Sequence, residues 1–442
     1  MAKEVSGIQD SSATDVGARH KMSWGISGLV YKPSLNRGCR RRSVKDQKLK
    51  ILRITTVPIS LRLLLKGQLK FISEHYEVVG VSSGGPELAQ VAQQESIRTV
   101  AIPMTRKISP VRDFIAVVRL YLLMRREKPF IVHTLTPKAG LVGMAASFLA
   151  GVPHKLHDVA GLPLMESTGI RRTILEAAER LTYLLADRLY PNSFALKEFI
   201  LQNGFCDEIK LKVIGHGSSN GIDINHFSRT SEIEAKARTL RYQLGIDHAE
   251  FVFCFIGRIV KDKGINELLI SFDWISRAVG NAKLLLVGVF EPDLDPVSNA
   301  SKEILNNNKN VLQCGWQEDV RPYLAASDVL VFPSYREGFP NVPMQACAMG
   351  LPSIVTNING CNEIIQEGRN GLLIEPKNTS QLIAAMTRLM NDHELRQHLS
   401  ANAREAITDL FEQNFVWNEI LKEYKDFELQ DSIRRPSALQ SV

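Results

Sequence analysis

Short apolar runs alternate with segments of helical periodicity over residues 49–374. The runs are rich in Val, Ile, Leu and Phe, which is typical of strands buried on both faces of a parallel sheet. We assign as strands 51–57, 78–82, 130–133, 155–157, 189–191 and 211–214, and then 251–257, 284–288, 311–315, 329–333, 353–356 and 372–374. Strands that alternate with helices form parallel sheets through right-handed crossovers. The pattern therefore predicts an α/β protein with two Rossmann-like, doubly wound parallel sheets.

Glycine and serine residues at 215–227 separate the first six assigned strands from the last six, which makes this segment a hinge candidate. We predict an N-terminal domain at 48–227 and a C-terminal domain at 228–410. Ligands of open α/β sheets bind at the carboxyl ends of the strands, so we expect a cleft between the two domains. A last helical segment is predicted at 411–427, and the polar residues 428–442 are predicted to be a disordered tail.

The formal charge of +7 is unevenly spread along the 442 residues. Residues 1–53 hold 12 Lys and Arg against 4 Asp and Glu, a net of +8, so the remaining chain carries 7 − 8 = −1. We therefore expect no nucleic-acid partner for the main body. Residues 1–47 lack apolar periodicity and are predicted to be a disordered basic leader. It is either a solvated tail, an extension from an upstream start codon, or a segment that touches acidic lipid headgroups or nucleic acid.

The six cysteines show no CxxC or CxxH spacing, which argues against a zinc site and favours a reducing compartment. No signal peptide stands out, and the longest uncharged apolar stretch, 139–153, is shorter than the roughly 20 residues that span a bilayer. We expect a cytoplasmic protein, at most peripheral on the cytoplasmic face of a membrane. Residues 112–126 favour a buried core helix; the alternative is a helix that rests on a membrane surface.

Candidate chemistry concentrates where strand 329–333 gives way to a helix. Gly338, Pro340 and Asn341 are turn formers, so the first N–H groups of the following helix would be free to bind a diphosphate. Glu337 precedes this turn. A carboxylate beside bound phosphate and sugar suits a residue that accepts hydrogen bonds from sugar hydroxyls.

Two cations, Arg258 and Lys263, follow strand 251–257 in a loop before a helix. Cations there would neutralise a diphosphate and stabilise the charge that builds on a leaving nucleotide. We therefore expect neither a metal nor another cofactor. For Arg258 the alternative is an ion pair that closes the loop, and neighbouring Lys261 is interpreted as a surface charge.

These loops resemble glycosyltransferase family 4, the retaining enzymes of GT-B fold. The matching segments are FIGRIVKDKG (255–264), PSYREGFPNVPMQA (333–346), GLP (350–352) and NEII (362–365). The resemblance covers residues 48–427 and implies that the C-terminal domain binds the nucleotide sugar, that the N-terminal domain binds the acceptor, and that the last helix packs back on the N-terminal domain. The family has two glutamates seven residues apart. Here Glu337 is the first and Gln345 stands in place of the second, where an amide can still hydrogen-bond to the ribose.

The resemblance implies a set of donor-binding residues on the C-terminal domain. Trp316 and Gln317 match the position where the family contacts the base. The full set that we expect is Gly257, Gly338, Phe339, Pro340, Asn341, Gln345, Trp316 and Gln317.

On the acceptor side, Arg62, Lys66 and Lys70 are spaced at i, i+4 and i+8, which predicts one basic helical stripe. Its first turn would meet the diphosphate of a lipid-linked acceptor; the alternative is a solvated face. The acceptor-binding residues that we expect are Ser60, Arg62, Lys66 and Lys138.

Two histidines complete the expected catalytic set of Glu337, Arg258, Lys263, His133 and His157. Each histidine is interpreted as the end of a strand at the cleft, with a purely structural role as the alternative. Relatives often carry a further histidine where Leu135 stands, so that residue's role does not transfer.

The closer resemblance is to the branch that builds capsular and lipid-linked oligosaccharides, including N-acetylgalactosaminyltransferases that act on undecaprenyl-diphosphate sugars. It is carried by TVPISL (56–61), TPKAG (136–140), AGLP (160–163) and SSNGID (218–223). It implies transfer of a hexose or N-acetylhexosamine from a UDP-sugar to a polyprenyl-diphosphate-linked saccharide. Two alternatives remain: a UDP-N-acetylglucosamine 2-epimerase of GT-B type, and a degenerate, non-catalytic scaffold marked by Gln345 and Leu135.

Overall fold

The computed structural model describes residues 48–291 and 295–434. The predicted leader, 1–47, and the last part of the predicted tail, 435–442, lie outside these described residues. Two six-stranded sheets organise the rest, and every strand pair in both sheets is parallel. The predicted fold class is therefore confirmed.

The first sheet has the order β3-β2-β1-β4-β5-β6. Its strands are β1 (Lys50–Ile54), β2 (Glu77–Ser82), β3 (Arg98–Ala101), β4 (Ile131–Leu135), β5 (His154–Val159) and β6 (Arg188–Pro191). Seven helices connect and cover them: α1 (Pro58–Leu64), α2 (Gln68–Ser73), α3 (Pro86–Gln94), α4 (Pro110–Glu127), α5 (Pro137–Ala150), α6 (Gly169–Leu185) and α7 (Phe194–Gln202). We call this part of the chain the first half.

The second sheet has the order β12-β11-β10-β7-β8-β9. Its strands are β7 (Phe251–Ile256), β8 (Ala282–Val287), β9 (Val311–Gly315), β10 (Val329–Phe332), β11 (Ser353–Thr356) and β12 (Gly371–Ile374). Its helices are α8 (Ser231–Gln243), α9 (Ile265–Val279), α10 (Asn299–Asn307), α11 (Arg321–Ala325), α12 (Asn341–Ala348), α13 (Cys361–Ile364), α14 (Thr379–Asn391), α15 (His393–Ala403) and α16 (Glu405–Phe411). We call this part the second half.

The last helix, α17 (Gln413–Arg434), packs on the first half, where Val416, Ile420 and Tyr424 join the core beneath β1. The helix continues past the predicted end at residue 427 because polar side chains anchor its last turns. The Tyr76 hydroxyl donates to the Glu428 carboxylate, and Asp431 lies 3.4 Å from His154 Nε2.

At the rim of the first sheet, one strand was missed and one assigned strand was wrong. The strand β3 was missed because its edge position leaves its residues half-exposed or exposed, so it has no apolar run. Segment 211–214, assigned as a strand, makes only an isolated bridge between Leu211 and Leu189 before the chain turns at Gly215.

The predicted basic stripe is also divided. Arg62 lies on α1, Lys66 in the following loop and Lys70 on α2. The helix breaks because Gly67 adopts a φ of +80°, with the Trp417 ring occupying the space where a side chain would stand. The three cations therefore do not lie along one helix.

The predicted buried helix at 112–126 corresponds to α4, and the prediction was only half correct. Ala116, Leu120 and Met124 are buried, whereas the opposite side exposes apolar side chains, among them Val111 and Phe114. No helix within 48–291 and 295–434 is long and apolar enough to cross a bilayer.

Candidate functional site

The strand order reverses between β1 and β4 in the first half, and between β7 and β10 in the second. Crevices open at such switch points, outside the carboxyl ends of the strands. In the second half, the loops that leave β7 and β10 carry Arg258, Lys263 and Glu337. The topology therefore brings together three residues that are separated by up to 79 positions in the chain.

Lys263 and Glu337 form an ion pair at the centre of this crevice. The two side chains meet because Gly264, the N-cap residue of α9, lies directly against the carbonyl group of Pro333, which follows β10. Only 14% of each side chain is exposed, so the two charges neutralise each other in a setting that is largely closed to water. An anion that enters this crevice would find an ammonium group already oriented.

Arg258 lies at the rim, with 40% of its side chain exposed. Its Nη1 donates to Glu291 at 2.9 Å, and its Nη2 is 3.9 Å from Asp262. Arg258 therefore forms the kind of ion pair that was the alternative to a role in binding diphosphate. Because the pair is half open to solvent, a bound diphosphate can compete for the guanidinium.

The turn before α12 has the expected form. Pro340 occupies the N-cap position with extended backbone, and no side chain caps the helix. The N–H groups of Asn341 and the next residue therefore point out of the helix start, beyond the buried Gly338 and Phe339. Gln345 lies one turn further along and is half-buried.

Trp316 and Gln317 follow β9, and Gly257 follows β7, at the same edge of the sheet. The Trp316 side chain is 54% exposed, while Gln317 donates to the carbonyl oxygen of Cys314 at 2.8 Å. An exposed indole beside strand ends offers a stacking surface for a planar base.

Of the expected acceptor residues, Arg62 contacts the second half. Its Nη1 donates to Gln90 at 3.0 Å and is 3.8 Å from the carboxylate of Glu318, next to Trp316 and Gln317. Ser60 is buried in α1, and Lys66 is exposed in the loop after it. Lys138, near the start of α5, is paired with Asp113 of α4.

Both histidines lie inside the first half rather than at the strand ends, because β4 and β5 each continue two residues further than predicted. The Nδ1 atom of His133 shares a hydrogen bond of 2.7 Å with the Tyr424 hydroxyl, and its Nε2 atom lies 2.9 Å from the Asp158 carboxylate. The His157 ring is 2.8 Å from the Thr134 hydroxyl. Their catalytic roles stay predictions; the contacts seen here connect them to the core.

A buried Arg53 holds this polar core together. It lies 3.1 Å from Asp158 and donates at 3.1 Å to Tyr424, so the last helix is bonded to the centre of the first sheet. Sequence reasoning missed Arg53, although a charged residue within the apolar strand β1 is the signal that would have found it.

Thr136 is a second missed residue. It follows β4 at the switch point, as the N-cap residue of α5, with a φ of +90° that is strained for a residue with a branched side chain. Its hydroxyl lies 2.8 Å from the hydroxyl of Thr56, in the loop that follows β1. Strained residues cluster at functional sites, so Thr136 is a further candidate site residue.

We expect stability to fall on mild acidification. Burial, with the nearby charge of Arg53, lowers the pKa of His133 to about 4, and burial lowers the pKa of His157 to about 4. Histidines of the unfolded chain titrate near a pKa of about 6.5. Between these values the unfolded chain binds protons at both histidines that the folded chain does not, so these two residues contribute a decrease in the free energy of unfolding as pH falls from about 6.5 to about 4.

Urea unfolding at a series of pH values across this window measures the slope of the free energy of unfolding against pH. His157→Gln removes one titrating group and should give a shallower slope than the wild type, whatever its stability at neutral pH. An unchanged slope in this variant would contradict the pKa assignment.

Comparisons with known proteins agree with this geometry. Residues 236–406 match the family model of glycosyl transferases group 1, and residues 72–217 match the glycosyl transferase 4-like domain. The capsular polysaccharide biosynthesis glycosyltransferase CapM of Staphylococcus aureus is 33% identical over 386 residues, which cover 87% of this chain and 98% of CapM.

The Escherichia coli UDP-Gal:alpha-D-GlcNAc-diphosphoundecaprenol alpha-1,3-galactosyltransferase is 31% identical over 324 residues, 72% of this chain and 81% of that enzyme. Among solved structures, Anabaena Alr3699/HepE in complex with UDP-glucose has the same fold, with a TM-score of 0.72 and 20% identity over 86% of this chain and all of that one.

These relatives do not favour the epimerase or scaffold alternatives. With the GT-B architecture and the two matching family models, they show that the chain is a glycosyltransferase and belongs to glycosyltransferase family 4, in its capsular and lipid-linked saccharide branch.

Proposed function

We propose that this enzyme moves a hexose or N-acetylhexosamine, with retention, from a UDP-sugar to a polyprenyl-diphosphate-linked saccharide during capsule, exopolysaccharide or glycan synthesis. The observation that carries the proposal is the Lys263–Glu337 pair beside the uncapped start of α12. It offers a cation, free N–H groups and a sugar-binding carboxylate within one crevice. The E. coli and S. aureus relatives, by their names, act in lipid-linked and capsular saccharide synthesis.

The donor would bind with its diphosphate between Lys263, Arg258 and the first N–H groups of α12. Lys263 would leave Glu337 for the phosphate oxygens, and the freed carboxylate would accept hydrogen bonds from the sugar hydroxyls. The indole of Trp316 would lie against the uracil ring.

The reaction breaks the bond between the anomeric carbon and the diphosphate oxygen, and forms one from that carbon to the acceptor oxygen. The acceptor hydroxyl attacks on the face that the diphosphate leaves, and its proton passes to the leaving diphosphate. Lys263 and Arg258 stabilise the negative charge that develops there, so the enzyme contributes orientation and electrostatics. Glu337 is not assigned as a nucleophile. No metal is required, because the two cations supply the charge.

The acceptor would reach the cleft from a membrane that lies against α4. Val111, Phe114, Ile115, Val118 and Leu122 form an exposed apolar stripe along this helix, which we call the α4 face. Val111 is 74% exposed and Phe114 is 69% exposed. An apolar stripe this open is typical of a helix that lies in a membrane interface.

The positive charges beside the α4 face favour a lipid surface over a protein partner. Arg112, Arg119 and Arg126 are exposed at seven-residue spacing, so they line one flank of the α4 face, where their guanidinium groups can reach anionic headgroups. The helix follows β3, so its first turn lies at the cleft edge of the sheet. A membrane held there brings a lipid diphosphate towards Arg62. We therefore propose that the enzyme lies peripherally on the cytoplasmic membrane face.

Acidic residues on the α4 face should abolish this contact. Phe114→Glu with Leu122→Glu is expected to lower the fraction bound to vesicles containing anionic phospholipid by about ten-fold or more, since charges replace two apolar side chains that would enter the membrane interface. Tyr242→Glu, at an 87% exposed aromatic of the second half, is the matched control and should bind normally. Vesicle flotation measures both. Unchanged vesicle binding by the double variant would contradict a membrane contact of the α4 face. A wild-type protein that is dimeric, with a double variant that is monomeric, would show that the α4 face is a dimer interface instead.

The transfer itself is tested by UDP release from a panel of UDP-sugars, with and without a membrane lipid extract, in the presence of EDTA. We expect release from one donor that requires lipid and survives EDTA. Binding of UDP-sugars without any release would favour the scaffold alternative, and inhibition by EDTA would contradict the metal-free mechanism.

A further inference from the structure

The carboxylate of Glu363 reaches across the cleft. It belongs to α13 of the second half, yet its two oxygens accept hydrogen bonds from the backbone N–H groups of Phe194 and Ala195, at 2.8 and 3.2 Å. These residues begin α7 of the first half. The next N–H group of this helix, that of Leu196, donates to the side chain of Ser193. Glu363 thus completes the cap of a helix in the opposite half of the molecule.

The fit is electrostatically favourable. A helix start carries partial positive charge and unsatisfied donors, and a carboxylate that takes two of them makes charge-assisted bonds. Because α7 follows β6, its first turn lies at the carboxyl edge of the first sheet, which faces the cleft. The contact therefore exists only when the two halves stand close together.

The segment that carries Glu363 also supports the donor loop. The side-chain amide of Asn359 donates to the backbone carbonyl oxygens of Glu337 and Gly338. A Cβ on Gly360 would stand 2.3 Å from the Gly338 carbonyl oxygen, so the two backbones touch. Residues 359–363 therefore connect the start of α7 to the backbone of the sugar-binding glutamate.

The donor loop itself meets the first half. A Cβ on Gly338 would stand 2.0 Å from the carbonyl oxygen of Ala160, so only glycine allows the loop after β5 to approach this closely. Residues 359–360 contact the backbone of this loop, and Glu363 follows them by three residues in the chain. Opening the cleft would break both contacts together.

We propose that Glu363 is a positioning residue that couples cleft closure to the placement of Glu337. When the halves close, Glu363 caps α7, and residues 359–360 fix the backbone of Glu337 and Gly338 against the first half. When they open, the donor loop loses this support. The inference concerns the enzyme's closed state and rests on the proposed function only for its activity readout.

The backbone donor can be removed without touching the donor loop. Phe194 is the first residue of α7, where proline is well tolerated, and Ser193 before it has the extended conformation that proline requires, with φ −145° and ψ 155°. Phe194→Pro thus deletes one N–H group that Glu363 binds. Phe194→Ala keeps that group and is the matched control for the lost, 53% exposed ring.

Glu363→Ala is expected to lower kcat roughly ten-fold, because two charge-assisted bonds favour the closed state, with UDP affinity changed less than about two-fold. Phe194→Pro should show a smaller loss of kcat, Phe194→Ala none, and Phe194→Pro should add no further loss in the Glu363→Ala background. Equal losses from Phe194→Pro in both backgrounds, or an unchanged kcat in Glu363→Ala, would overturn the proposal.

Small-angle X-ray scattering with UDP decides the inference independently of the acceptor and the sugar. We expect a larger radius of gyration for Glu363→Ala and Phe194→Pro than for the wild type and Phe194→Ala. Identical radii in all four proteins would overturn the proposal even if the transfer assay succeeds, and a larger radius in the two variants would support it even if the proposed acceptor is wrong.

Discussion

Replacing Lys263 with Gln is expected to lower kcat by about two to three orders of magnitude, which is the usual cost of removing one group that stabilises developing charge in a closed site. Lys263 is the least exposed of the candidate diphosphate ligands and is already held beside Glu337. Its charge is therefore the one that acts with least screening by water. Steady-state kinetics with the preferred UDP-sugar measures the effect.

Lys261→Gln is the control for this variant. Lys261 lies two residues away in the same loop and is exposed, so its charge is screened and its replacement should leave kcat within about two-fold of the wild type. Equal losses from both substitutions would mean that the loop as a whole, rather than the Lys263 ammonium, supports the reaction.

Glu337→Ala is expected to reduce turnover by about two orders of magnitude or more, because it removes both the acceptor for the sugar hydroxyls and the anchor that orients Lys263. Folding should persist, since the site lies on loops outside the sheet. Glu337→Gln keeps the hydrogen-bonding oxygen and should lose less activity than Ala.

The readouts are kcat, donor KM and thermal unfolding, with Glu303→Gln, an exposed carboxylate on α10, as the control. A loss confined to kcat supports a role in the transition state. Transfer at the wild-type rate by Glu337→Ala would show that the donor site is misassigned.

The alternation of apolar runs predicted both sheets because strands buried on two faces have a strong signal of their own. The second sheet followed the prediction in all six strands, since each of them is bounded by Gly, Pro or polar residues. The edge strand β3 was missed for the opposite reason, because an exposed edge has no apolar run.

The candidate donor residues could be found from the sequence because they follow strand ends in short loops, where topology alone brings them together. The polar contacts inside the first half could not be predicted from the sequence. Whether His133 and His157 face the cleft depends on strands that extend two residues further than their apolar runs, and on the Tyr424 hydroxyl from the far end of the chain.

Long-range contacts were likewise beyond the sequence. Periodicity identified residues 112–126 as a helix but could not show that no other element of the described chain covers the α4 face. The bond between Glu363 and the start of α7 joins residues 169 positions apart. It depends on how closely the two halves approach, which no local pattern encodes.

The central claim is tested most directly by the mass of the acceptor after reaction. The purified enzyme would be incubated with its preferred UDP-sugar and a defined polyprenyl-diphosphate monosaccharide, in parallel with the same monosaccharide lacking the lipid diphosphate. We predict that the lipid-linked acceptor gains one hexose or N-acetylhexosamine residue as one UDP is released, and that the free sugar gains none. Equal transfer to the free sugar, or UDP release without any change in the lipid, would contradict the account.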